Sequence, residues 1–200
     1  MSKPESTPER RHAAVLNTEL RNFTRLSEML PPEKVLELAN EFFSLCAMTI
    51  TGNAGKVLSV QNDMMVGAFA TGQKKDFAAK ALKSAQDLQR EFGTLGEQWK
   101  KDYGLPAALS AAVHLGEAVF GMAGPIAHQQ FVAFGDCVSV TERLVHRARA
   151  GEVILSLDFM KALGATAQSL GAEELPPLEI GKRTPIPIYG MALESRLDFT

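Results

Sequence analysis

Apolar and polar residues along this chain follow two periods, one near two residues and one near 3.6, and the switches between them mark out the elements. His12–Leu20 (HAAVLNTEL) is a short apolar run that predicts a first strand. Pro31-Pro32 then opens a helix, because proline suits a first turn whose N–H groups have no partner. Val35, Leu38, Phe42, Leu45 and Thr49 recur at helical spacing until Gly52-Asn53 ends the run. Lys56–Ser59 and Met65–Phe69 read as a strand pair joined through Gln61-Asn62-Asp63, which carries turn chemistry. The longest helical pattern runs from about Asp76 to Tyr103, with Ala78, Leu82, Ala85, Leu88, Phe92, Leu95 and Trp99 on one stripe facing a sheet. Ala108–Leu115 and Ala118–Met122 suggest a second hairpin around Gly116-Glu117. Phe131–Phe134 is a further strand, Gly135-Asp136 opens a helix to about Arg149, and Gly151 stops it. Val153–Leu155 is strand-like, Asp158–Leu163 a short helix, and Leu178–Ile180 and Ile186–Met191 two last strands around Gly181–Pro185.

Strands paired by hairpins with helices between them predict an α+β sandwich, one sheet with helices mainly on one face. Residues 1–11 form a polar tail with two prolines, residues 12–192 one domain, and residues 193–200 a C-terminal tail.

Composition narrows the picture. At 200 residues, 46% of them hydrophobic, the chain can build one sizeable core without disulfide or metal staples. Its net charge of −2 excludes a strong general attraction to nucleic acid or to an anionic membrane. Cys46 and Cys137 are too few for a disulfide framework or a four-ligand zinc site and read as small buried hydrophobes. No stretch approaches the roughly 18 to 20 apolar residues of a membrane span. The first dozen residues carry no apolar signal core, so the expected location is cytoplasmic, with no membrane contact. The four histidines are scattered, and His114 reads as a strand histidine satisfied in the core.

Several segments together carry a family pattern. VLNTELRNFTRLSEMLPPEKVLELANEFF resembles the opening VLFADIRGFTxLSExLxPEEVVxLLNxYF of class III adenylate/guanylate cyclase catalytic domains. AGKVLSVQNDMMVGAFA is similar to GGxVDKFIGDGVMAVFG, HLGEAVFGMAG to NTGEVVVGNIG, FVAFGDCVSVTERL to YTVIGDAVNLAARL, and GKRTPIPIY to GKSEPVPVY. The matches run in order from about residue 12 to 192. The resemblance implies a ferredoxin-like α/β sandwich of the nucleotidyl cyclase type, with a mixed, mainly antiparallel sheet and helices packed against it. It also implies a head-to-tail homodimer or heterodimer that binds ATP or GTP at its interface.

In that family two aspartates hold Mg²⁺ or Mn²⁺, a lysine and an Asp or Thr select the base, and the partner's asparagine and arginine orient the ribose and stabilise the transition state. Carried over position by position, the metal pair falls on Glu19, one methylene longer than aspartate, and Asp63. The base-selecting pair falls on Ser59 and Val132, neither of which can play the original role. The ribose and transition-state roles fall on Ser139 and Arg143, four residues apart and so on one helix face. The phosphate loop falls on Arg21-Asn22-Phe23-Thr24, with Asn22 in place of a glycine yet tolerant of a left-handed backbone. One phosphate lysine is kept as Lys182 and the other is Ile180. Taken alone, Asp63 reads as a hairpin-turn aspartate and Arg143 as a surface arginine beside Glu142 and Asp136. The scaffold fits the family and its chemistry is eroded. Three functions follow: a degenerate, dimerising signalling module, an active cyclase with an unusual base pocket, or a nucleotide sensor without turnover.

Overall fold

A computed structural model describes residues 7–70 and 76–192. The C-terminal tail expected at 193–200 and the first six residues of the N-terminal one lie outside the described residues. In chain order the elements are β1 (Glu9–Arg21), α1 (Phe23–Met29), α2 (Pro32–Gly52), β2 (Lys56–Gln61), β3 (Met64–Ala70), α3 (Phe77–Tyr103), β4 (Ala108–Ala123), β5 (Gln130–Phe134), α4 (Asp136–Arg147), β6 (Glu152–Ser156), α5 (Leu157–Leu163), α6 (Ala167–Leu170), β7 (Glu173–Leu178) and β8 (Ile186–Ala192). They form one sheet in the order β2-β3-β1-β4-β6-β8-β7, with β5 paired to β4 outside that path. Every pairing is antiparallel except β4 with β6. The α+β class and the mixed, mainly antiparallel sheet are those predicted.

The central strand β1 is buried on both faces from Ala13 to Thr18, because each face carries a layer. Ala14 and Leu16 join Leu109, Ala111 and Val113 of β4 under α2, α3 and α5. The predicted α3 stripe lies in this core, with Leu95 only partly buried. Phe92 stands edge-on to Phe42 of α2 (5.9 Å) and to Trp99 (5.6 Å), locking the two long helices together. Helices lie mainly on that face, as predicted, and on the opposite face α4 packs on Ala112, Ile154 and Ile188. Its amphipathic pattern had been read without a side, because periodicity gives a helix a buried face but not the layer that covers it. Both cysteines are buried, as predicted. Desolvation pushes the Cys46 thiol up to about 12, so it is inert at neutral pH.

Three local readings change. The hairpin around Gly116-Glu117 does not form: β4 runs unbroken from Ala108 to Ala123, pairing Gly116 with Ala13 and Glu117 with His12. Gly116 serves close approach instead, since a Cβ there would lie 2.6 Å from Cys137 Cβ on α4. β1 begins three residues before His12, and Arg10 pairs with Glu117 at 2.6 Å. The penultimate strand is Glu173–Leu178, earlier than the predicted Leu178–Ile180. It contains Pro176-Pro177 and shifts register between Leu175 and Leu178, which is tolerated because β7 is a sheet edge. The short helices α1 and α6 were not anticipated, at seven and four residues too short to show a period.

His114, on the α4 face of β4, is buried, with Nδ1 2.8 Å from Ser156 Oγ. Burial drives its pKa below the usual histidine value, and nearby Asp158 and Asp136 only partly oppose this. The unfolded chain therefore takes up a proton near pH 6.5, before the folded protein does. Stability is expected to fall as pH drops below about 6.5 and to level off once the folded histidine also protonates. Thermal melts across this range should show the fall in the wild type and a weaker one in His114→Gln.

Candidate functional site

At one end of the sheet the chain builds a cleft of about 450 Å³ lined by Glu19, Arg21, Asn22, Phe23, Thr24 and Asp63, among others. All six were singled out from the sequence, and two local devices bring them together. Asn62 takes a left-handed φ of 47° in the tight turn between β2 and β3, so Asp63 comes beside β1 and its carbonyl accepts the Leu20 N–H at 2.8 Å. Asn22 takes φ 70° between β1 and α1 and donates from Nδ2 to the Pro106 carbonyl at 2.6 Å. The loop thus keeps a glycine-like turn without glycine, and Phe23 and Thr24 start α1 at the cleft wall.

Two charges of the cleft, Glu19 and Arg21, are paired with each other. Arg21 Nη1 donates to Glu19 Oε1 at 3.0 Å, its Nε to Ser110 Oγ at 2.6 Å, and its Nη2 to the Val145 and Ala148 carbonyls at 2.7 and 2.6 Å. Those two carbonyls end α4, where a cation is favoured by the helix dipole. Glu19 Oε2 is shut off from solvent and accepts no hydrogen bond; His146 Nδ1 stands 3.3 Å away, in ion-pair reach but without hydrogen-bond geometry. Glu19 and Arg21 are two residues apart on one strand face, so their pairing is open to sequence reading; Ser110, Val145 and Ala148, 89 to 127 residues from Arg21, are not.

Two carboxylates on one cleft are the hard oxygen donors that Mg²⁺ or Mn²⁺ favours. As arranged, they do not fit a two-carboxylate cation site. Both carboxylates line the cleft, but one oxygen of Glu19 accepts from Arg21 and the other is closed off from solvent. Among the described residues, no three His, Cys, Asp or Glu side chains group so that they could hold a metal ion.

The remaining candidates lie elsewhere. Ser59 on β2 and Val132 on β5 are both half-buried, on strands that meet where Lys56 Nζ sits 3.4 Å above the Phe131 ring. Phe131 stacks in turn on Phe120 at 6.2 Å. Nothing in the sequence signalled Lys56, since its aromatic partner is remote in the chain. Ser139 and Arg143 are exposed on the outer face of α4 and do not line the cleft. Lys182 is exposed in the turn between β7 and β8, which Arg183 ties to the first residue of α4 through both oxygens of Asp136 at 2.8 Å. Apart from Ser59 and Val132, the candidates therefore fall into two groups, those lining the cleft and those on or beside α4.

Among the described residues, no helix is long and apolar enough to cross a membrane. Residues 6–189 match the family model of the adenylate and guanylate cyclase catalytic domain. The chain is 24% identical over 140 residues to adenylate cyclase 1 of Rhizobium meliloti (strain 1021), covering 68% of this chain and 20% of that protein. It is 25% identical over 174 residues to adenylate cyclase 2 of the same organism, covering 84% and 47%. It thus spans a fifth and about half of the length of these two relatives. The fold matches the crystal structure of the adenylyl cyclase CyaB from P. aeruginosa with a TM-score of 0.84 at 21% identity, over 97% of this chain and 100% of that one.

Proposed function

The chain belongs to the adenylate and guanylate cyclase catalytic domain family, and from that premise we propose that it is a catalytically degenerate member, a dimerising regulatory or nucleotide-binding module of cytoplasmic signalling. The observation that carries this reading is the pair Ser59 and Val132. β2 and β5 come together as a base pocket needs, yet at the base-selecting positions they offer a short hydroxyl and a hydrocarbon. Val132 gives a base edge no hydrogen bond, and recognition built on paired polar groups is lost without them. The separation of the candidates into two groups supports dimerisation. Asp63 with Arg21–Thr24 on one surface, and Ser139, Arg143 and Lys182 on another, would meet when two copies, or this chain and another cyclase-type domain, pair head to tail. ATP or GTP would then lie between them, with Asn22, Phe23, Thr24 and Lys182 against the phosphates.

The alternative is an active nucleotidyl cyclase with an unusual base pocket, converting ATP or GTP to cyclic nucleotide and pyrophosphate with metals on Glu19 and Asp63. It is favoured by the presence of Asp63, Arg143 and Lys182, and it requires Glu19 to leave Arg21. The deciding experiment incubates the protein with ATP and, separately, GTP in excess Mn²⁺, over a concentration series that spans self-association. No cyclic product is expected. Product whose rate falls in both Asp63→Ala and Arg143→Ala would sink the degenerate reading. A nucleotide-dependent rise in melting temperature without product would identify the nucleotide-binding form of the module.

A further inference from the structure

We infer that Arg21 is a built-in counter-cation for Glu19, taking the electrostatic place that a divalent ion would fill in the cleft and tying that carboxylate to the end of α4. Glu19 and Arg21 are both sheltered, with side chains 12% and 24% exposed, so their 3.0 Å pair is little screened by water. The guanidinium does not depend on Glu19 for its position. Ser110 Oγ and the carbonyls of Val145 and Ala148 hold it from three other directions. A cation that drew Glu19 away would therefore leave Arg21 where it is and meet a fixed like charge. The other Glu19 oxygen is enclosed, with His146 Nδ1 3.3 Å away. Glu19 is neutralised from within the chain, and through Arg21 it forms a structural link between β1 and α4. This goes beyond the functional reading, and melting and metal binding test it without nucleotide.

Thermal unfolding of the full chain in EDTA and in Mn²⁺ tests it. The wild-type midpoint should be the same in both. Glu19→Gln should lower the midpoint in EDTA, because the sheltered guanidinium loses its counter-charge. A Glu19→Gln protein as stable as the wild type, or more so, overturns the inference. So does a rise of the wild-type midpoint in Mn²⁺ that Glu19→Gln abolishes. A second arm follows Mn²⁺ binding directly through the paramagnetic resonance signal of the free ion. Arg21→Gln should bind Mn²⁺ at least about tenfold more tightly than the wild type, the scale of one like charge removed from a few ångströms away. Unchanged affinity overturns the inference, and if Arg21→Gln does not fold, the Glu19→Gln melts decide. Cyclic product from the wild type that Glu19→Gln abolishes would overturn this inference together with the proposed function, whereas product that survives Glu19→Gln counts against the proposed function alone.

Discussion

Phe92→Ala is expected to cost about 3–5 kcal/mol of stability, the range for deleting a buried aromatic ring. Phe92 is 1% exposed and wedged edge-to-face between Phe42 and Trp99, so truncation opens a void at the one place where α2 and α3 interlock through rings. Collapse into that void is resisted, because Trp99 is pinned by its Nε1–H donating to Glu41 Oε2 at 2.8 Å. In a chain of this size each kcal/mol lowers the melting midpoint by roughly 2–4 °C, so calorimetry should find a large shift. Arg21 and the cleft lie outside this cluster, and affinity for a nucleotide should be unchanged below the new transition. A shift under a couple of degrees would mean that the two long helices repack freely.

The second large effect is expected at Gly135→Ala. A Cβ at this position would sit 2.5 Å from the Glu117 carbonyl oxygen and 2.9 Å from Ala118 Cα, both backbone of β4. The backbone there is extended, with φ 173°, so the conformation suits alanine and the whole penalty is steric. Overpacking of this kind costs about 1–3 kcal/mol or more, and here it is relieved only by moving the start of α4 off the sheet. Ser139 and Arg143 ride on α4, so self-association should weaken along with stability, read by sedimentation at a fixed concentration. Gly93→Ala on α3 is the control, with nothing within 4 Å of the added methyl. There the change removes a flexible residue from a helix and should leave the protein as stable or slightly more so.

Local patterns were legible where the reason for a residue lies near it in the chain. The α3 stripe follows from the spacing of Ala78 through Trp99, and the β2–β3 turn follows from the chemistry of Asn62-Asp63. Asn22 was read correctly as a left-handed residue standing in for glycine. Gly116 was misread for the opposite reason: it looks like a turn glycine, yet what needs the space is Cys137, twenty-one residues later on a helix crossing the other face. The double proline at 176–177 hid a strand because its tolerance depends on β7 lying at the sheet edge, a fact of topology.

The sequence alone therefore determined the fold class, the buried stripes and the position of Asp63 in its turn, which are set by short-range periodicity and turn chemistry, and its motifs carried the family resemblance. Only the tertiary structure decided which face α4 covers, that the site residues divide between two surfaces, and that Glu19 is committed to Arg21. The first two depend on packing between segments far apart in the chain; the third depends on Val145 and Ala148, 124 and 127 residues from Arg21, whose carbonyls hold its guanidinium beside Glu19. Strand alternation already puts Glu19 and Arg21 on one face; the fold supplies the carbonyls that fix the guanidinium there.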